Sequence, residues 1–194
     1  MSIKSVCVFC ASSSRIKEVY LDSAFKCGEL LAKEGYEIVY GGGGKGSMGA
    51  VANGALANGA KVTGIIPKFM IDLEWAHHSV TNMIVVETMA ERKSRMLEES
   101  DAVLVLPGGS GTLEELFETI SLKRLGMYLK PIIILNTENY YEPLIKLLDL
   151  SIKEKFMDEQ HSDMWRVINS PEEIVTALHT SVTWSSDAIG FAAV

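Results

Sequence analysis

Three features of the sequence combine residue types that can do chemistry: the turn Pro107-Gly-Gly-Ser-Gly-Thr112, the carboxylate Glu115 just after it, and Arg92 upstream. Gly108, Gly109 and Gly111 have no Cβ to hold a ligand away, and Ser110 and Thr112 stand among them. A helix beginning near Thr112 would aim its unpaired N–H groups and the positive end of its dipole at the same place. That outlines a phosphate cradle. Thr112 and Glu115 also have the spacing of a capping box, in which the Glu side chain reaches back to the helix start. The same position puts a carboxylate one turn from whatever is joined to a bound phosphate, and both roles stay open. Arg92 follows Met89 by three and precedes Met96 by four, so it shares the apolar stripe of its helix and faces inward or toward a cleft. A guanidinium there needs a carboxylate or a ligand phosphate. Glu91 and Arg95, four apart, are expected to pair on the outer face, and Glu114 and Glu118 to be solvated.

A second glycine loop, Gly41–Gly49, follows a strand-like run and precedes a helix of small residues, and reads as a second cradle or as a tight turn. It formally contains G-x-G-x-x-G, but it follows the second strand and no acidic residue closes the next strand to bind a ribose 2′-OH, which argues against NAD. Lys45 is followed by Gly46, so a kinase-type P-loop fails as well. Cys7 and Cys10 form C-x-x-C within a strand, where residues three apart point to opposite faces, so they read as core cysteines. The adjacent His77 and His78 do not share a helix face, and no metal site is expected.

The elements that must position these residues alternate. Strands are predicted at Ser5–Ala11, Tyr36–Tyr40, Lys61–Ile66, Asn82–Glu87, Val103–Leu106, Pro131–Leu135 and Met164–Ile168. Between them lie helices over Val19–Glu34, Met48–Asn58, Thr88 to about Ser100, Thr112 to Leu125, Tyr141–Lys155 and Pro171–His179, with Pro67–Val80 as a loop. The expectation is a doubly wound α/β fold, a Rossmann-like parallel sheet with helices on both faces and ligands beyond the carboxyl ends of the strands. One nucleotide-binding domain is predicted over residues 1–180, with 181–194 a loose tail because no periodicity is visible there.

The net charge of −7 over 194 residues argues against a general grip on nucleic acid or anionic lipid. No apolar run is long enough to span a membrane, and Met1–Lys4 leads into a strand without a signal-peptide pattern. With an odd count of three cysteines, a cytoplasmic protein is expected.

Pro107-Gly-Gly-Ser-Gly-Thr112-Leu-Glu-Glu115, taken with Met89-Ala-Glu-Arg92-Lys93 and the Gly41–Gly49 loop, resembles the Lonely Guy (LOG) family of cytokinin riboside 5′-monophosphate phosphoribohydrolases, long mislabelled lysine decarboxylases. The family signature is PGGxGTxxE preceded by an M-x-x-R-K helix, and the likeness runs from about Val6 to beyond Tyr140-Tyr141. It implies hydrolysis of the N-glycosidic bond of AMP, usually N6-substituted, to free base and ribose 5-phosphate. Arg92 and Glu115 match the catalytic pair. Gly43, Glu74, Met89, Lys93, the Gly108–Thr112 turn and Ser121 fall on substrate-contact positions. Ala90 replaces a common His, Ser110 a frequent aromatic residue, and Ser121 a frequent Thr. The resemblance implies a homodimer or larger homo-oligomer, with neither metal nor organic cofactor; decarboxylation would need pyridoxal phosphate on a lysine, for which the sequence offers no local context. The alternative is a nucleotide or cofactor carrier that uses the same cradles without chemistry.

Overall fold

The apolar runs pair side by side into one seven-stranded parallel sheet: β1 (Ser5–Phe9), β2 (Glu37–Tyr40), β3 (Val62–Pro67), β4 (Asn82–Val86), β5 (Ala102–Val105), β6 (Ile132–Leu135) and β7 (Arg166–Ile168), in the order β4-β3-β2-β1-β5-β6-β7. The computed structural model describes residues 3–73 and 75–192. Connecting helices are α1 (Glu18–Lys33), α2 (Gly46–Ala57), α3 (Lys68–Asp72), α4 (Met89–Glu98), α5 (Ser110–Arg124), α6 (Glu142–Lys153) and α7 (Ile174–Thr180). The central strands are apolar throughout because helices cover both of their faces. One core, with Val8, Leu104 and Ile133 from the sheet, lies under α1, α2 and α7; the other, with Cys7, Val103 and Ile134, lies under α4, α5 and α6. Cys7 and Cys10 belong to these opposite cores and are free thiols, as alternation along a strand requires.

Successive strands step outward from β1 to β4, and the chain then returns to place β5 against the other side of β1, with Val8 opposite Leu104. Neighbouring connections therefore leave to opposite faces at β1 and β5, and a crevice opens beyond their carboxyl ends. The small residues of α2 have a packing reason. A Cβ on Gly28 would lie 2.1 Å from the Val51 carbonyl oxygen, and one on Gly54 would lie 2.1 Å from that of Phe25, so α1 and α2 touch backbone to backbone.

Two expectations need correction. Pro67–Val80 is not loop throughout, since α3 occupies its start and Ala76 makes an isolated antiparallel bridge with Gly43. Residues 181–192 are not a loose tail. Trp184 is buried, its indole N–H donates to the Lys123 carbonyl at 2.7 Å, and its ring meets Phe191 edge-on. This segment ends in a short 3-10 turn, Ser186–Phe191, whose spacing gives neither helical nor strand periodicity.

Candidate active site

Arg92 is where the elements meet. α4 begins at a cap that the spacing of Thr88 and Glu91 predicts: Thr88 Oγ1 accepts from the Glu91 N–H at 3.1 Å, and the Glu91 carboxylate accepts from the Glu87 N–H at 3.0 Å. That use of Glu91 leaves Arg95 to pair with Glu99 at 3.3 Å, in place of the expected Glu91–Arg95 pair. One residue after Glu91, Arg92 turns inward and is 4 % exposed. Its Nε donates to the Ile65 carbonyl on β3 at 3.1 Å, and Nη2 donates to the Gly41 carbonyl beyond β2, also at 3.1 Å. Nη1 lies 3.5 Å from Glu115 Oε1 on α5. Two carbonyls thus hold the guanidinium, and the carboxylate touches it only at the limit of a hydrogen bond.

Glu115 is 5 % exposed, and this pair is its one side-chain hydrogen bond among the described residues. Burial pushes its pKa up to about 7; Arg92 pulls it down, Glu114 raises it, Lys93 lowers it and Glu118 raises it. The capping-box reading does not hold. α5 starts at Ser110 with Gly109 as its N-cap, which places Thr112 in the first turn and Glu115 in the second, facing the core. Glu115 therefore has no cap to serve.

The glycines divide by task. A Cβ on Gly41 would lie 1.8 Å from Arg92 Nη2, and one on Gly108 would lie 2.1 Å from Thr112 Oγ1, so these two are required by packing within the protein. Gly109 and Gly111 have nothing within 4 Å of a Cβ and face open space. The first N–H groups of α5, at Ser110, Gly111 and Thr112, have no partner within the helix, so this open floor is the kind of helix start that suits an anion. Gly43 is buried and tied to Ala76, with Gly44 N–H donating to the Trp75 carbonyl at 3.0 Å. Gly46, at φ +60°, lets the second loop press against the Ser12–Ser13 backbone, bringing the exposed serines after β1 to the same crevice.

Other predicted site residues separate. Lys93 is paired with Glu114 and, at 2.9 Å, with Glu118, so the two carboxylates expected in solvent are its counter-ions and clamp α4 to α5. Met89 opens α4 and is partly exposed. Ser121 is exposed on α5, its hydroxyl donating to the Phe117 carbonyl at 2.7 Å, and it makes no contact with Arg92 or Glu115 among the described residues. Glu74 lies outside the described residues. No group of three or more His, Cys, Asp or Glu among the described residues is arranged to hold a metal ion.

Two residues were missed as parts of the site. Tyr140 donates its phenol to the Gly108 carbonyl at 2.6 Å, and Tyr141 donates to the Leu106 carbonyl at 2.7 Å. They reach the turn because Glu138 and Asn139 both take left-handed backbone angles, φ +55° and +56°, which swing the chain back from β6. Strained non-glycine positions of this kind persist where the surroundings hold them. Tyr140→Phe removes one anchor of the turn and is expected to raise KM for a phosphate-bearing substrate roughly fivefold, the worth of one hydrogen bond, with a smaller change in kcat. Steady-state kinetics of the variant separates the two parameters.

A family profile described as "Possible lysine decarboxylase" matches residues 48–178. The chain is 38% identical over 175 residues to a "Probable cytokinin riboside 5'-monophosphate phosphoribohydrolase" of Oryza sativa subsp. japonica, covering 90% of this chain and 72% of that protein. It is 35% identical over 200 residues to the Arabidopsis thaliana cytokinin riboside 5′-monophosphate phosphoribohydrolase LOG3, covering 97% and 92%. Among solved structures, a molybdenum cofactor binding protein from Rippkaea orientalis superposes with a TM-score of 0.71 at 22% identity, over 93% of this chain and 98% of that one, which is a likeness of fold. With sequence likeness along nearly the whole chain, at 35–38% identity, the chain belongs to the Lonely Guy (LOG) family.

Proposed function

We propose that the protein hydrolyses the N-glycosidic bond of AMP or of N6-substituted (cytokinin) riboside 5′-monophosphates, giving the free base and ribose 5-phosphate. The observation that carries this reading is the buried Arg92–Glu115 pair beside the open N-terminus of α5. The N–H groups of Ser110–Thr112 and the Gly108–Gly109 turn take the 5′-phosphate, which fixes the ribose with C1′ toward Glu115. As the bond from C1′ to the base nitrogen breaks, its electron pair leaves with the base and positive charge grows on the ribose ring. An ionised Glu115 stabilises that charge and accepts a proton from the water that attacks C1′; the base takes a proton from solvent as it leaves, and Glu115 then returns its own to solvent. Arg92 holds the carboxylate in place. Lys93, Met89, Gly43, Glu74 and Ser121 are assigned to substrate contact by family resemblance, Lys93 after exchange of a carboxylate for the ligand. No metal or organic cofactor enters this scheme.

The direct test is incubation with AMP and with isopentenyl-AMP, with chromatographic detection of base and ribose 5-phosphate. Saturable binding with unchanged nucleotide would make the protein a carrier instead. Because only ionised Glu115 serves, kcat/KM is expected to rise with pH through about 7 and then level off. The substrate phosphate loses its second proton near about pH 6, so the limb belonging to Glu115 is read from the kcat profile at saturating nucleotide as well as from kcat/KM. A profile from acid to mildly alkaline pH with no limb near 7 would contradict this role.

The proposed assembly is a homodimer. Edge strand β4 leaves Val85 exposed, and Met89 on α4 and Phe117 on α5 are exposed as well, which suits burial against a second copy. Light scattering on the eluted protein gives the mass directly. Three free, buried cysteines fit a reducing compartment such as the cytoplasm, and none of the described helices is long and apolar enough to cross a membrane.

A further inference from the structure

At the far end of α5 from the candidate active site, Lys123 is 1 % exposed. Its ammonium donates to the Lys130 carbonyl at 2.6 Å and lies 5.8 Å and 5.9 Å from the ring centroids of Trp184 and Tyr128. Burial lowers its pKa to about 8 and is the whole cause of the shift, with no carboxylate among the described residues acting on the amine. The carbonyl end of α5 carries partial negative charge and explains one cation there. It does not explain a second. Lys123 lines a cavity of about 160 Å³ together with Arg166, whose guanidinium donates to Thr180 Oγ1 at 2.8 Å, and with Asp163, Trp165, Thr180 and Ser181. At about 30 Å³ for each liquid water, such a volume admits a few waters or an oxyanion of a few heavy atoms. A buried ammonium without a charged partner is costly, and an anion in the adjoining space would relieve that cost.

We propose that this cavity binds a small oxyanion, a carboxylate or inorganic phosphate, with Lys123 and Arg166 as its cationic partners; the Thr180 and Ser181 hydroxyls in its wall already donate to the Thr176 and Ala177 carbonyls. The cavity is bordered by Thr180, Ser181 and Val182 at the start of the C-terminal segment and shares no lining residue with the cradle at Gly108–Thr112. It stands apart from the proposed hydrolase activity.

The test is an amide NMR titration of the full chain with sodium acetate and, separately, with inorganic phosphate at constant ionic strength. Saturable shifts are expected at Trp165, Arg166, Ser181 and Val182. They should weaken about tenfold in Lys123→Met, the loss of one charge-assisted contact, and also in Arg166→Gln, whose exposed position spares the fold. Saturation by only one of the two ions names the ligand class. Shifts that stay linear to high concentration, or that persist unchanged in both variants, overturn the proposal. Phosphate-induced shifts at Gly108–Thr112 report the cradle, so failure at one place is read separately from failure at the other.

Discussion

Glu115→Gln is expected to lower the release of base from AMP by about 10³-fold or more while the protein folds and binds AMP within about threefold of the wild type. The amide keeps the volume and can still accept from Arg92 Nη1, so the guanidinium stays on its two carbonyls. It removes the negative charge that opposes cation development at C1′ and the site that accepts the proton from water. Binding survives because the phosphate contacts belong to the backbone of the turn and of α5, which the substitution does not touch. Chromatography of the products and calorimetry with AMP measure the two quantities. Turnover near the wild-type rate would end the assignment of Glu115.

The same substitution has a stability signature. Folding raises the pKa of Glu115 from 4.5 to about 7, so the native state holds a proton that the unfolded chain releases between those values. The stability tied to that proton is complete below about pH 4.5 and is lost as pH rises to about 7, after which the contribution is flat. At 1.36 kcal/mol per unit this is about 3 kcal/mol. Glutamine does not titrate, so the variant is expected to gain on the wild type between pH 5 and pH 8, as urea midpoints at the two values would record.

The architecture was legible because parallel strands covered on both faces must be apolar throughout, and Ala102–Val105 and Ile132–Leu135 are so. The inward turn of Arg92 was legible from its place on the stripe with Met89 and Met96. What spacing could not reveal depends on contacts distant in sequence. Thr112 and Glu115 matched a local capping rule, but Gly109 took the cap position without a side chain, and such a cap leaves no acceptor residue in the sequence. Lys93 stands 21 residues from Glu114 and 25 from Glu118, and only the packing of α4 on α5 reveals their pairing. Tyr140 meets Gly108 across 32 residues through two left-handed positions that no propensity would assign. The segment ending at Ala192 lacked periodicity because a 3-10 turn wedged by Trp184 repeats with neither helix nor strand.

Gly41→Ala is expected to lower activity severely by displacing Arg92, and it distinguishes the two uses of glycine in this fold. The added Cβ would sit 1.8 Å from Nη2, closer than any contact allows, and 3.0 Å from Cζ. The obstructed atoms are the far end of a long side chain, so the guanidinium must leave its place rather than the sheet open. In leaving, it gives up the Gly41 and Ile65 carbonyls and its contact with Glu115, all in a buried setting. Unmade hydrogen bonds of this kind cost about 2–4 kcal/mol in stability, and kcat/KM is expected to fall by about 10²-fold or more because Glu115 loses its guide. Gly109→Ala is the contrasting case. Its backbone, at φ −87°, suits any residue, and its Cβ meets nothing within 4 Å, so stability should hold while KM for the nucleotide rises as the methyl group enters the open floor. A double-mutant cycle closes the argument. If Gly41 is glycine for the sake of Arg92, Gly41→Ala should cost little in an Arg92→Ala background, giving a coupling energy of about 2 kcal/mol by urea denaturation. Additive losses would place the requirement for Gly41 in the loop itself.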